Sequence, residues 1–149
     1  EVLYHGGRSD QTIILSGGVR TPSDALVGPF AVSALRTVNV DIVFLGVHGI
    51  HRRAGFTTPN MLEAETNRAL IETGRQLVVT ADHTKWGITG VSTITTLDRA
   101  DVVISDAGLD AEARSVLSEQ VGRLVLAGAG ESTSSVSEIF DAPRVGLGV

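Results

Sequence analysis

Five short apolar runs, at residues 12–15, 41–47, 76–81, 101–105 and 123–127, alternate along the chain with stretches of helical pattern. Two parallel strands need a crossover long enough to carry the chain back to the starting edge, and a helix is the usual way to make it. The alternation therefore predicts an α/β fold with an open, largely parallel sheet and flanking helices, the helices lying at 29–37, 60–73 and 110–121. Inside the runs the apolar residues are continuous, which predicts strands covered on both faces. A chain of 149 residues with 42% hydrophobic content makes one domain with enough apolar material for a core. That domain is expected over residues 1–127. Residues 128–149 are rich in glycine and serine, with an almost all-hydroxyl run at 132–137, and are expected to form a flexible tail; the short piece at 137–141 is left undecided. Residues 1–4 look like a strand fragment, followed by Gly6 and Gly7, so the sequence is expected to open in mid-fold, as an N-terminally truncated domain would.

The longest apolar runs, such as residues 42–47, fall far short of the roughly 20 residues that a membrane span requires. No basic-then-apolar leader opens the chain, and a soluble protein is expected. There is no cysteine, which excludes disulfides, thiolate metal sites and a cysteine nucleophile. The formal net charge is −5, and no more than two basic residues, Arg52 and Arg53, stand together. Gripping a nucleic-acid backbone takes a basic stripe, which this chain lacks. Eleven of its twelve basic residues are arginine, so Lys85 is the sole lysine and draws attention to its surroundings.

Four places can carry chemistry. Leu15-Ser16-Gly17-Gly18 closes the first run, and its glycines allow a sharp turn that is either a plain connection or a close approach to a ligand. It is neither a dinucleotide fingerprint nor a phosphate loop. Residues 46–60 read as a long glycine-rich loop leaving a buried strand, the usual ligand position in an open α/β sheet. His48 and His51 in that loop lack a third ligand at metal spacing, so surface imidazoles are expected and no metal. Asn60 can cap the next helix, Glu63 can reach back to it, and Gly74 can end it. Alternatively, the free amides of that helix start, beside Thr57 and Thr58, favour an anion or a polyhydroxylated ligand, with Glu63 accepting from sugar hydroxyls. Finally, Asp82 at a strand end can orient Lys85 toward a phosphate or carboxylate, or Lys85 simply packs over Trp86 in solvent.

The ordered series Leu15-Ser16-Gly17-Gly18, Leu26-Val27-Gly28-Pro29, Asp41-Ile42-Val43-Phe44-Leu45-Gly46, Gly49-Ile50, Gly55-Phe56-Thr57-Thr58-Pro59-Asn60, Glu63, Ala81-Asp82-His83-Thr84-Lys85-Trp86-Gly87 and Ile104-Ser105-Asp106 resembles the C-terminal sensor domain of DeoR-type bacterial transcriptional regulators. It covers roughly residues 12–127. The resemblance implies the fold shared by ribose-5-phosphate isomerase, glucosamine-6-phosphate deaminase and coenzyme A transferases. It implies a domain that binds a phosphorylated sugar or related metabolite and thereby controls operator binding by an N-terminal winged helix-turn-helix, which lies outside this chain. Gly17, Gly18, His48, Gly49, Thr57, Thr58, Asn60, Glu63, Asp82 and Lys85 are then expected to line the effector pocket, with no catalytic residue, metal or cofactor. The family's serine- and threonine-rich phosphate loop would lie ahead of residue 1, and His48 and His51 stand where relatives carry other residues. A homo-oligomer, dimer or tetramer, in the cytoplasm and off the membrane, is implied as well. Glu63 and Lys85 also fall where the isomerase relatives keep a carboxylate and a lysine. A sugar-phosphate isomerase or deaminase, with Glu63 or Asp82 moving a proton, is therefore the alternative, and a purely structural oligomerisation domain the third.

Overall fold

The computed structural model describes residues 10–128. A small antiparallel hairpin, β1 (Val19–Arg20) and β2 (Leu26–Val27), leads into α1 (Pro29–Leu35) and β3 (Val40–Gly46). Two further short strands, β4 (Gly49–His51) and β5 (Gly55–Thr58), precede α2 (Met61–Thr73) and β6 (Gly74–Thr80). The chain continues through β7 (Ser92–Thr95), β8 (Val102–Asp106), α3 (Ala111–Gln120) and β9 (Leu124–Ala127). Short 3₁₀ turns at His83–Lys85 and Leu97–Arg99 flank β7.

The main sheet is parallel, in the order β3-β6-β8-β9, and a separate antiparallel sheet has the order β4-β5-β7. The expected α/β fold with an open parallel sheet is thus present. Four of the five apolar runs are its strands, within two residues at either end. The fifth, 12–15, is not: among the described residues it pairs with no strand, and Ile14 and Leu15 are exposed. A strand exists only where a neighbour takes up its backbone hydrogen bonds, so apolar content alone does not make one. Coverage on both faces also needs correction for β3. Val43 and Leu45 are buried while Phe44 between them is 57% exposed, so among the described residues one face of β3 meets the core and the other does not. The expectations at residues 1–4, Gly6 and Gly7, and for the tail beyond Gly128, lie outside the described residues.

Local chemistry sets the helices. Pro29 occupies the first turn of α1, where its missing N–H costs nothing. The helix ends at Leu35 rather than at Thr37, because both the amide and the hydroxyl of Thr37 turn back onto the Ala34 carbonyl, at 3.1 and 2.8 Å. Asn60 caps α2 as expected, accepting from the amides of Leu62 and Glu63, and Asp110 caps α3 through the amide of Ala113. Gly74 does end α2, but in an extended conformation, and it is already the first residue of β6; helix and strand adjoin with no connecting residue. α2 packs on α1, β3 and β7, and α3 on β9.

The stretch read from sequence as one long loop, 46–60, contains the β4-β5 hairpin. These strands are too short and too rich in glycine and histidine to show a period-2 pattern. They are nonetheless core: Ile50, Phe56 and, from β7, Ile94 join Leu45, Leu77, Val79, Val103 and Leu117 in one buried cluster. Thr57 fastens this sheet. Fully buried, its hydroxyl donates to the Gly49 carbonyl at 3.2 Å and accepts from the Gly90 amide at 2.9 Å. Thr57→Val should preserve shape but strand both backbone groups, and urea denaturation is expected to register a loss of about 1–3 kcal/mol.

Candidate functional site

The parallel register sets Gly46 of β3 level with Thr80 of β6. Both strands release the chain at the same edge, and a cleft of about 920 Å³ opens there. Gly46, Val47 and His48 form one wall and Thr80, Ala81, Asp82 and Lys85 another. Thr58, Asn60, Glu63 and Asn67 enter from the end of β5 and the first turns of α2, and Pro22, Ser23 and Ala25 from the β1-β2 turn.

Glu63 is the best-connected polar group in the cleft. Ser23 Oγ donates to its Oε1, and Thr58 Oγ1 donates to its Oε2 at 2.9 Å. Burial works to raise its pKa, but the hydroxyls of Ser23, Thr58 and Thr21, with the nearby charge of His48, outweigh that and hold it below its ordinary 4.5. The capping-box expectation needs correction. The Asn60 amide donates to Thr58 Oγ1 at 3.3 Å, not to Glu63, whose carboxylate reaches across the cleft instead. The helix start is also less open to an anion than expected, since Asn60 Oδ1 already takes the amides of Leu62 and Glu63 at 2.9 and 3.3 Å.

Asp82 caps the 3₁₀ turn. It accepts from the side-chain hydroxyl and from the amide of Thr84, the latter at 2.8 Å. Those bonds, the hydroxyl first, hold its pKa below the ordinary carboxylate value. Its expected role of orienting Lys85 is corrected accordingly: the carboxylate is hydrogen-bonded to Thr84 and forms no ion pair with Lys85, whose charge acts on it at longer range, while the Asp82 carbonyl accepts from the Lys85 amide at 3.1 Å. Among the described residues the half-buried ammonium of Lys85 makes no ion pair. A cation that makes no direct ion pair and lines a cleft is suited to binding an anion.

Of the ten residues expected at the pocket, His48, Thr58, Asn60, Glu63, Asp82 and Lys85 line the cleft, and Gly17, Gly18, Gly49 and Thr57 do not. Gly18, at φ +107°, packs against the Val27 carbonyl, where a Cβ would come within 2.5 Å of the oxygen. Gly49 lies equally tightly on the Ile88 carbonyl, and the Thr57 hydroxyl is spent inside the small sheet. His51 is away from the cleft, its Nδ1 accepting from the amides of Arg53 and Ala54 in the hairpin turn. Sequence reasoning missed Ser23. Its surroundings, Thr21-Pro22-Ser23-Asp24, are legible as a turn, with Asp24 at φ +64° and paired to Arg20 at 2.8 Å. Nothing local marks that the turn reaches a carboxylate 40 residues away.

A polar cleft at the carboxyl edge of a parallel sheet defines a class of small-molecule-binding α/β domains. Residues 5–107 match the family described as the DeoR C terminal sensor domain, and the chain belongs to that family, whose fold is sugar-isomerase-like. Among curated relatives, it is 35% identical over 120 residues to the HTH-type transcriptional regulator GlpR of Haloferax volcanii, covering 80% of this chain and 47% of that one. It is 33% identical over 96 residues to the HTH-type transcriptional regulator GolR of Listeria innocua, covering 64% and 38%. It is 28% identical over 101 residues to the glycerol-3-phosphate regulon repressor of Escherichia coli K12, covering 67% and 40%. The chain spans less than half the length of these relatives. No helix among the described residues is long and apolar enough to cross a membrane.

The hydroxyl clamp on Glu63 is open to titration. Its folded-state pKa lies below the unfolded value, so the clamp contributes stability that is present above about pH 4.5 and lost as pH falls through the folded pKa. Ser23→Ala should raise the Glu63 pKa toward its ordinary value, read by carboxyl ¹³C NMR, and should flatten the acid limb of the stability profile.

Proposed function

We propose that this chain is a non-catalytic sensor that binds a phosphorylated sugar or a related phosphorylated metabolite in the cleft between Glu63 and Lys85. In the full-length protein, binding would control the operator affinity of a helix-turn-helix region, with the effector preferring one arrangement of a homo-oligomer. One observation carries the reading: an ammonium that makes no direct ion pair among the described residues shares a cleft with a carboxylate that two hydroxyls help keep ionised. The first is suited to a phosphate and the second to accepting from ligand hydroxyls. The glycerol-3-phosphate regulon repressor among the relatives supports a small phosphorylated polyol as the first ligand to try.

The enzymatic alternative is less well supported. A general base works best with a pKa near the operating pH, whereas Glu63 and Asp82 are both held below their ordinary values and would be weak bases.

Thermal denaturation against glycerol 3-phosphate, ribose 5-phosphate and glucosamine 6-phosphate tests the sensor. A ligand at about 100 times its Kd stabilises by about 2.7 kcal/mol, enough to raise the midpoint by several degrees. The shift should vanish in Lys85→Ala, whose own midpoint should match the parent's. No shift with any phosphorylated ligand, or turnover of one of them, would overturn the proposal. Glu63→Gln should weaken binding of the same ligand about tenfold, as expected for losing one charge-assisted hydrogen bond, with little change in midpoint.

A further inference from the structure

The turn that carries Lys85 lies outside the core, although Ala81 ahead of it and Trp86 behind it pack against that core. None of His83, Thr84 and Lys85 is buried. Its internal bonds, from Thr84 to Asp82 and from the Lys85 amide to the Asp82 carbonyl, fix its shape but do not attach it to the sheet. On its downstream side the attachment is the packing of Trp86 on the core and the Gly87 amide, which donates to the Ile50 carbonyl at 2.8 Å, beside a bridge between Ile50 and Trp86. On its upstream side the Ala81 amide bonds the Ile104 carbonyl at 3.1 Å, and beyond that one side chain does the holding. Asp106, the last residue of β8, accepts from the His83 amide through Oδ2 at 2.8 Å and meets His83 Nδ1 through Oδ1 at 2.8 Å. The Gly108 amide donates to the same Oδ1 at 2.7 Å and fixes the carboxylate in turn. The fit is close: a Cβ on Gly108 would lie 2.5 Å from His83 Nδ1 and 2.8 Å from Asp106 Oδ1.

We propose that Asp106 is a positioning residue for the cleft, a clamp that holds the His83–Lys85 turn to the end of β8 and so fixes the Lys85 ammonium over the site. Asp106 does not line the cleft itself. It acts on ligand affinity through the backbone and ring of His83, and Gly108 is the space the clamp requires. The bonds from the amides of His83 and Gly108, in that order, also hold its pKa below the ordinary carboxylate value, so the clamp is a charge-assisted one at neutral pH. The consequence for affinity rests on the reading of Lys85 as the anion-binding group; the consequence for the geometry of the turn does not.

Reductive methylation of the full chain with ¹³C-formaldehyde places one dimethyl-lysine reporter, at Lys85. In Asp106→Ala and in Gly108→Ala its NMR signal should move to the position of free dimethyl-lysine and narrow, while in the control Asp98→Ala it should stay. Asp106→Asn, which keeps an acceptor for the His83 amide, should fall between. Glycerol 3-phosphate, titrated against the unlabelled proteins, should bind Asp106→Ala at least about tenfold more weakly than the parent, with ligand-free midpoints within about 2 °C of each other. A Lys85 signal unmoved in both Asp106→Ala and Asp106→Asn would overturn the clamp. If the parent chain binds no sugar phosphate, the sensor reading fails and the Lys85 signal alone decides for or against the clamp. A moved signal with unchanged affinity would overturn its role in binding.

Discussion

Parallel pairing between β3, β6 and β8 is the constraint from which the chemistry of this domain follows. The ladder sets Gly46 beside Thr80, and Thr80 beside Ile104. All carboxyl ends of a parallel sheet lie at one edge, so the segments leaving those strands must turn within the same small volume. His48 leaves β3 there, Asp82 and Lys85 leave β6, and Asp106 ends β8. A slip of one residue in the pairing would exchange the two faces of a strand and bury what now meets solvent, so the register that builds the core also builds the site. The antiparallel sheet completes the arrangement by delivering Thr58 and the start of α2 to the same edge, held in place by the buried hydroxyl of Thr57.

Three carboxylates around this edge, Glu63, Asp82 and Asp106, are each satisfied by donors of the protein itself. That leaves them stiff, ionised and largely spoken for. Lys85 is built the opposite way. Asp82, three residues before it, is turned onto Thr84, so the negative charge on its own turn acts on it only at longer range and forms no ion pair with it. Anion affinity at such a point depends on where acidic groups spend their hydrogen bonds as much as on the presence of the cation.

The parts of the fold that were legible in the sequence are those whose signal is local. The apolar runs of β3, β6, β8 and β9, and the capping residue Asn60, announce themselves because burial and capping act on a few adjacent residues. The hairpin β4-β5 did not, since strands of three and four residues show too little of a period. Residues 12–15 misled, because apolar content reports a wish for burial and not the presence of a partner strand. Of the residues expected at the site, His48, Thr58, Asn60, Glu63, Asp82 and Lys85 line one cleft. The glycines at 18 and 49 approach other backbone closely, whereas Gly17 has open space around it and a positive φ. Ser23 and the clamp of Asp106 on His83 were illegible for one reason, that each joins residues far apart in the chain whose meeting only the finished fold determines.

The direct passage of α2 into β6 has a consequence for recognition. Helix and strand form the two arms of one hairpin-like lever: thirteen helical residues span about 20 Å and seven extended ones about 23 Å. Because the arms nearly match, the chain returns to the edge from which it set out, and Glu63 near the start of one arm and Lys85 just past the end of the other line the same cleft. With no slack residue at Gly74, the gap between carboxylate and ammonium is ruled by counting residues. One residue added to α2 would turn Glu63 by about 100° and carry it about 1.5 Å along the helix axis. In this architecture the width of the cleft is thus set by the lengths of the secondary-structure elements on either side of Gly74.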